Sequence, residues 1–175
     1  GIIMRKALVI GLNNYPIAPL YGCINDAKEI SKILERNENG SPNFDVKLIT
    51  DETQTIDKSS LKGTIVDLFT GDDTVLLYFS GHGTLNEFGG YIVTPDYKKY
   101  DEGIPMDEIL TLANESKASN KIIILDCCFS GNMGSPKTSG SHTTQIGQGV
   151  TILTACKSDE VSFEKYGRGL FTSLL

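Results

Sequence analysis

Residues 121–131 read KIIILDCCFSG, and this stretch decides the class of the fold. A short run of branched apolar residues leads into an acid, two adjacent cysteines and a Ser-Gly turn. Such a run, bounded by turn residues, is typical of a strand in the core of an α/β protein. We therefore expect a core strand whose carboxyl end carries Asp126, Cys127 and Cys128.

Strand-like and helix-like segments alternate on both sides of this stretch. Apolar runs and alternation predict strands over residues 5–10, 44–50, 74–79 and 150–156. Helical spacing of apolar residues predicts helices that begin at Asn25 or Asp26, cover residues 61–69 and cover residues 104–118. Residues 89–97, GGYIVTPDY, look like a short hairpin, and residues 167–175 look like the start of another helix. The predicted class is α/β with a mostly parallel central sheet.

Length and charge limit the classes of function. With 175 residues, 39% of them apolar, the chain has the size of one globular domain. The net charge is −6 and no run of Lys or Arg occurs, which argues against binding to nucleic acid or to an anionic membrane. No segment has the roughly 18 consecutive apolar residues of a membrane span, and no signal-peptide pattern is present.

Cysteine spacing indicates a reducing compartment. The four cysteines are Cys23, Cys127, Cys128 and Cys156. They show no C-x-x-C spacing, so neither a disulfide framework nor a zinc site is indicated. The chain also lacks the common phosphate-loop and metalloprotease motifs. We therefore expect a cytoplasmic protein with no metal and no cofactor.

Reactive side chains follow two of the predicted core strands. In an open α/β sheet, substrate binds in a crevice at the carboxyl ends of the strands. SGHG follows the strand over residues 74–79, so neighbouring strands would bring His82 beside Cys127 or Cys128. An imidazole can generate the thiolate nucleophile and can later protonate a leaving amine. Backbone N–H groups in the glycine-flanked loop can form an oxyanion hole.

Each of these residues taken alone has a structural explanation. Cysteine is among the most buried residue types, and a single histidine usually has a structural role. The catalytic interpretation is favoured because both loops follow core strands in the same chain. Successive side chains at a strand end point in opposite directions, so we expect one cysteine to pack and the other to face the crevice.

Four segments resemble the caspase-like cysteine peptidases, and specifically the metacaspases and their prokaryotic relatives. In chain order they read KALVIGLNNY…LYGCINDAKEI, VLLYFSGHGT, KIIILDCCFSG and ILTACKSDEVSFEKYGRGLFTSLL. The resemblance implies a single domain over residues 1–175 with a caspase-like three-layer α/β/α sandwich. It divides the domain into a large-subunit-like part (1–131), a flexible loop (132–149) and the start of a small-subunit-like part (150–175). We expect further domains in the parent protein.

The resemblance also implies a role for each matching residue. The metacaspase motifs make His82 the general base and Cys128 the nucleophile, with Cys127 in a packing position. The N–H groups of Gly83 and Cys128 then form the oxyanion hole. The pocket for the residue before the scissile bond falls on Cys23, Asp26, Ser80 and Asp126. Two carboxylates in a partly desolvated pocket favour a cation, so the expected substrates carry Arg or Lys there.

Both acids of this pocket also have simpler explanations. Asp26 fits a carboxylate at the start of a helix, which needs no substrate. Asp126 fits an acid that accepts hydrogen bonds from loop backbone.

The chain departs from the metacaspase pattern at several positions. Phe129 replaces the histidine that usually follows the nucleophile, which should alter packing and leave the dyad intact. Where metacaspases carry paired acids for calcium, this chain has Met106 and Asp107. Asp107 and Asp96 alone make a poor site for a cation that takes about six or more oxygens, so we expect no strong calcium dependence. Lys137 is a candidate for autocleavage in the flexible loop, and an uncut loop is an equally good interpretation.

The sequence therefore predicts a cysteine endopeptidase that cleaves after Arg or Lys through an acyl-enzyme intermediate. Two alternatives stay open: a caspase-fold binding or scaffold module without turnover, and another caspase-clan Cys-His peptidase with a different specificity. We expect protein or peptide substrates, no nucleic-acid or membrane partner and, from the resemblance, a monomer. The physiological substrate and the activation trigger are not predicted.

Overall fold

The computed structural model describes residues 4–130 and 147–155. The strands there are β1 (Arg5–Gly11), β2 (Asp45–Thr50), β3 (Thr74–Ser80), β4 (Gly83–Asn86), β5 (Gly89–Lys98), β6 (Asp101–Pro105), β7 (Asn120–Asp126), β8 (Phe129–Ser130) and β9 (Val150–Ala155). The helices are α1 (Cys23–Glu35), α2 (Lys58–Leu68) and α3 (Met106–Glu115). None of these helices is long and apolar enough to cross a membrane.

A parallel sheet of five strands forms the centre of the fold, in the order β2-β1-β3-β7-β9. Every residue of β3 is buried, as expected for a parallel strand that helices cover on both faces. Ala27, Ile30 and Leu34 of α1 pack on one face of the sheet. Apolar residues of α2 and α3 pack on the other face. The three-layer α/β/α sandwich predicted from the sequence is confirmed.

The strand order predicts a crevice at the carboxyl ends of β1 and β3. From β1, the chain adds β2 on one side and β3, β7 and β9 on the other. The connections that leave β1 and β3 therefore diverge, and substrates of open α/β sheets bind at such a switch point. The loop over residues 12–22 and the short connection at Gly81 and His82 both lie at this point.

A second sheet extends from the same edge, in the order β6-β5-β4-β8. The sequence analysis predicts only a short hairpin over residues 89–97, whereas β5 alone covers ten residues and pairs with strands on both sides. The prediction was too short because β4 and β8 have four and two residues. Strands of that length carry too little periodicity to be recognised.

The first helix begins earlier than the sequence predicts. Its first residue is Cys23, not Asn25 or Asp26, and the preceding Gly22 provides no side-chain cap. Instead, the Asn13 Oδ1 accepts hydrogen bonds from the N–H of Cys23 at 2.9 Å and of Ile24 at 3.4 Å. A side chain ten residues upstream thus satisfies the first N–H groups of the helix, a role that local sequence does not reveal.

Residues 147–149 are the described part of the predicted flexible loop, and they form a turn before β9. The predicted cleavage position Lys137 and the predicted helix over residues 167–175 lie outside the described residues.

Candidate active site

The parallel pairing of β3 with β7 brings the predicted histidine and cysteines together. Ser80 pairs with Asp126, and beyond the strand ends Gly83 pairs with Phe129 in the same register. His82 and Cys128 therefore occupy corresponding positions on two neighbouring segments at the carboxyl edge of the sheet.

The two segments are in close contact at Gly83. A Cβ atom on Gly83 would lie 3.1 Å from both the Cys127 Sγ and the Cys128 carbonyl oxygen. The Gly83 N–H also faces away from β5. The Val93 N–H donates to the His82 carbonyl at 2.8 Å, which makes Gly83 and Ile92 a pair without mutual hydrogen bonds. The N–H that is predicted to bind the oxyanion is therefore on the side of the cysteines.

The imidazole of His82 is held by the loop that follows β1. His82 is only 8% exposed, and its Nε2 lies 2.6 Å from the Ala18 carbonyl oxygen. Because a carbonyl only accepts, Nε2 carries the proton in this contact and the neutral ring keeps Nδ1 as its base. Burial lowers the pKa of His82, although the contact with Ala18 opposes that shift. The neutral base is thus the favoured form near neutral pH.

Cys127 packs in the core, as the sequence analysis predicts. Its side chain belongs to the apolar cluster on the face of the sheet that α2 and α3 cover. Burial, followed by the nearby Asp126 carboxylate, raises the pKa of the Cys127 thiol. A thiol that stays protonated in this way is a poor nucleophile.

Cys128 is half-buried, just beyond the carboxyl end of β7. It takes part in a disulfide bond in this structure, whereas Cys23 and Cys127 do not. Sequence spacing gave no indication of this bond, because cysteines pair by proximity in space and not along the chain. Any role of Cys128 as a nucleophile requires that the disulfide is first reduced.

Three of the four residues predicted for the substrate pocket, Asp26, Ser80 and Asp126, lie around the hydroxyl of Tyr78. Tyr78 is fully buried and donates a hydrogen bond to the Asp126 Oδ2 at 3.1 Å. Burial raises the pKa of Tyr78, and the carboxylates of Asp126 and Asp26 raise it further. Both acids are therefore close to one hydroxyl, and the fully buried Ser80 lies two residues further along the same strand.

Asp26 and Asp126 differ in how well the simpler explanations fit their surroundings. Asp26 lies in the first turn of α1 and is half-buried, so it fits a helix-terminal carboxylate as well as a pocket residue. Asp126 is 2% exposed and bonds to the side chain of Tyr78. A buried carboxylate is costly unless donors or a cation accompany it, which favours a specific role for Asp126.

Cys23 lies near Tyr15 and Cys127. It is buried at the first position of α1, close enough to Tyr15 and Cys127 to influence the pKa of both groups. Gly11 allows this approach, because a Cβ atom there would overlap the Cys23 carbonyl and the Ala27 Cβ. Glycine at the end of β1 thus lets the start of α1 reach the crevice.

The sequence analysis missed four residues that shape the site: Tyr15, Ala18, Asp51 and Tyr78. Asp51 is 5% exposed, and its two carboxylate oxygens accept from the N–H groups of Asn13 and Asn14 at 2.9 and 2.8 Å. The LNNY segment that Asp51 holds has the asparagines typical of a structured turn. That signal was visible in the sequence, whereas the partners of the two tyrosine hydroxyls were not.

The acids considered for calcium do not form a cluster. The Asp96 carboxylate accepts from the Lys58 N–H at 3.2 Å and from the Thr94 hydroxyl at 2.6 Å. Asp107 is exposed in the first turn of α3. Within residues 4–130 and 147–155, no group of three or more His, Cys, Asp or Glu residues is placed to hold a metal ion. Weak calcium dependence stays a prediction, which a calcium titration of wild type and Asp107→Ala would test.

Comparison with known proteins connects this geometry to a family. A family model described as the caspase domain matches residues 4–175. Metacaspase-1A of Aspergillus terreus is 29% identical over 146 residues, which cover 73% of this chain and 36% of that protein. Metacaspase-1A of Aspergillus oryzae is 34% identical over 87 residues, which cover 45% of this chain and 20% of that protein. The chain spans well under half the length of these curated relatives.

Solved structures share the fold at low sequence identity. Pro-sf-caspase-1 superposes with a TM-score of 0.55 and 16% identity, covering 87% of this chain and 61% of that one. A protein from Geobacter sulfurreducens superposes with a TM-score of 0.54 and 22% identity, covering 74% of this chain and 52% of that one. These two likenesses concern the fold alone. Because the family model matches nearly the whole chain, this protein belongs to the caspase-domain family of peptidases.

Proposed function

We propose that this domain is a cysteine endopeptidase that cleaves peptide bonds after Arg or Lys, with Cys128 as nucleophile and His82 as general base. The observation that carries the proposal is the common register of β3 and β7, which puts His82 opposite Cys128 at the carboxyl edge of the sheet. Membership of a peptidase family supports the same chemistry.

The residues suit acyl transfer through a thioester. His82 Nδ1 removes the proton from the Cys128 thiol, and the thiolate attacks the carbonyl carbon of the scissile bond. The negative charge that develops on the carbonyl oxygen is stabilised by the N–H groups of Gly83 and Cys128. The imidazolium then protonates the leaving amine as the C–N bond breaks. A water molecule, deprotonated by His82, hydrolyses the thioester and releases the acid product and the thiol.

The preference for a basic residue comes from Asp26 and Asp126. Both carboxylates lie near the Tyr78 hydroxyl, on the face of the sheet that α1 covers. Alternate residues of a strand share one face, so Ser80 and His82 are on the same side as Tyr78. A cationic side chain relieves their mutual repulsion and forms charge-assisted hydrogen bonds with them. An Asp side chain would add a third negative charge. We also propose that the domain acts as a monomer on protein or peptide substrates in the reducing cytoplasm, where the Cys128 thiol stays available.

A panel of fluorogenic peptides with Arg, Lys or Asp before the cut tests this proposal. The reduced wild-type protein should cleave the Arg and Lys peptides, and the Asp peptide should be inert. Turnover should fall to background without a reductant, because Cys128 is then held in its disulfide. A preference for Asp would contradict the acidic pocket. No turnover of any peptide by reduced protein would support the alternative of a binding module.

A further inference from the structure

Tyr15 is buried in the loop between β1 and α1, although tyrosine in a loop is usually exposed at least in part. Its hydroxyl group makes two hydrogen bonds to backbone. It donates to the Val93 carbonyl of β5 at 2.9 Å and accepts from the His82 N–H at 3.1 Å. Its ring also contacts the imidazole of His82 edge to face, with centroids 4.6 Å apart. The Tyr15 side chain thus connects the loop before α1 with His82 and with Val93 of β5.

The backbone of His82 is fixed on both sides by this arrangement. Its N–H donates to Tyr15, and its carbonyl accepts from the Val93 N–H at 2.8 Å. Val93 in turn accepts from Tyr15 through its own carbonyl. Tyr15, His82 and Val93 therefore form a closed set of three hydrogen bonds, so that the histidine cannot shift without breaking at least one of them.

The ring of His82 is oriented from the same loop. Tyr15 packs against the imidazole, and Ala18, three residues further along, accepts from Nε2. Ala18 has a φ of 56°, a left-handed conformation that is uncommon for a residue with a Cβ atom. Such a conformation is retained where the surrounding contacts fix it, and here it presents a carbonyl to a reactive side chain.

The sequence next to His82 is adapted to Tyr15. A Cβ atom on Gly81 would lie 2.5 Å from the Tyr15 hydroxyl oxygen and 2.7 Å from the ring of Phe79. Only glycine allows the hydroxyl to reach the His82 N–H. Tyr15 thus explains why position 81 is glycine. The close approach of Cys127 and Cys128 explains why position 83 is glycine.

We propose that Tyr15 is a positioning residue for the dyad, which holds His82 in the place and orientation that proton transfer requires. This inference rests on the proposed function. The hydroxyl acts through the backbone of His82, the ring acts through contact with the imidazole, and neither group reacts with substrate. Because burial raises the pKa of Tyr15 well above its ordinary value, the hydroxyl keeps its proton throughout the pH range of an assay.

The test is the substitution Tyr15→Phe, which keeps the ring and removes the hydroxyl. Kinetics are measured per active site, titrated with a peptidyl-arginine chloromethyl ketone that alkylates the nucleophile. We expect kcat per titrated site to fall about tenfold to a hundredfold, because small displacements of a catalytic group have effects of that size. KM should change less than about twofold, since no substrate contact is lost.

Tyr97→Phe is the matched control. Tyr97 packs against the same apolar cluster as Tyr15, and its buried hydroxyl has no hydrogen-bond partner among the described residues. This variant should keep both kcat and KM. A Tyr15→Phe protein with fewer titratable sites but an unchanged kcat per site would show a purely structural role and would overturn the inference.

A second readout does not depend on turnover, so it separates this inference from the proposed function. The chain has two histidines, and ¹⁵N NMR with His142→Gln as an assignment aid reports the tautomer of His82. The wild type should show one Nε2-protonated tautomer, and Tyr15→Phe should show a mixture. A single, unchanged tautomer in Tyr15→Phe would contradict the inference even if no peptide were cleaved.

Discussion

Cys127 and Cys128 are neighbours in the chain, yet their surroundings give them opposite properties. Cys127 lies in the apolar cluster beneath α2 and α3, where burial raises the pKa of its thiol. Cys128 lies half-buried at the crevice, in register with His82. A shift of one residue at a strand end is sufficient for this difference, because successive side chains face opposite sides of the sheet.

The two cysteines should therefore respond differently to substitution by alanine. Cys127→Ala should lower the free energy of unfolding by about 1–2 kcal/mol, as a small loss of buried volume does, and keep kcat. Cys128→Ala should abolish turnover and leave stability in reductant nearly unchanged. Urea unfolding and the arginine peptide assay measure both effects. Loss of turnover in a folded Cys127→Ala protein would show that Cys128 is not the sole cysteine required and would contradict its assignment as the nucleophile.

His82 should make stability depend on pH in a defined direction. Its pKa in the folded state is lowered by burial, so the unfolded chain binds a proton more readily. The stability that neutral His82 contributes is complete above the ordinary pKa of 6.5 and is lost as pH falls toward the lowered value. Wild type should lose more stability than His82→Gln between about pH 8 and about pH 5, in urea titrations with reductant. If the free energy of unfolding changed with pH in the same way for wild type and His82→Gln, the predicted contribution of His82 would be contradicted.

Among the elements, the loop over residues 12–22 connects the central sheet to His82. Asp51, just after β2, holds the loop at Asn13 and Asn14. Asn13 caps α1, and Tyr15 and Ala18 contact His82. The position of the histidine therefore depends on a carboxylate that follows a different strand, β2.

Asp51→Asn should disturb this loop. The amide would place an N–H donor against one of the two backbone N–H groups, which leaves a buried donor unsatisfied at a cost of about 1–3 kcal/mol. We expect lower stability and a lower kcat, measured by urea unfolding and by the arginine peptide. Glu52→Gln is the control, because the Glu52 side chain makes an exposed ion pair with Lys28, so this substitution should change little. Equal effects of the two substitutions would mean that Asp51 does not hold the loop.

Gly83 sets the distance between β4 and the cysteine segment. Gly83→Ala places a methyl group 3.1 Å from the Cys127 Sγ, the Cys128 carbonyl and the Phe129 ring, so the two segments must move apart. Turnover should fall while the protein stays folded, as judged by circular dichroism. Gly63→Ala in α2 meets no atom within 4 Å and should stabilise the helix by about 0.5–1 kcal/mol with full activity. Full activity of Gly83→Ala would show that this contact is not required.

At the scale of the whole molecule, the core strands and the class of fold could be predicted from sequence. The long apolar runs of β1, β3 and β7 are strong local signals, and the carboxyl-end rule then identified SGHG and DCCFSG. Only a hairpin of the second sheet could be predicted, because β4 and β8 are too short to show periodicity and β8 pairs with a segment distant in sequence. The residues that contact His82 could not be predicted either, because these contacts join distant parts of the chain.

Tyr78 and Tyr15 illustrate that limit. In sequence, Tyr78 is one apolar residue within a buried strand and Tyr15 is one residue in a turn. Their proposed functions depend on hydroxyl partners 48 and 67 residues away, Asp126 and His82. No periodicity reports such a contact, so buried polar groups of this kind emerge only from the folded structure.

Intact-protein mass spectrometry identifies both the nucleophile and the charge that the substrate pocket accepts. The reduced protein is treated with a peptidyl-arginine or a peptidyl-aspartate chloromethyl ketone, and the labelled residue is located by peptide mapping. We predict one equivalent of the arginine reagent on Cys128, retained in Cys127→Ala, absent in Cys128→Ala and slowed in Asp126→Asn. Label on Cys127, or preference for the aspartate reagent, would contradict the account of the nucleophile and the acidic pocket.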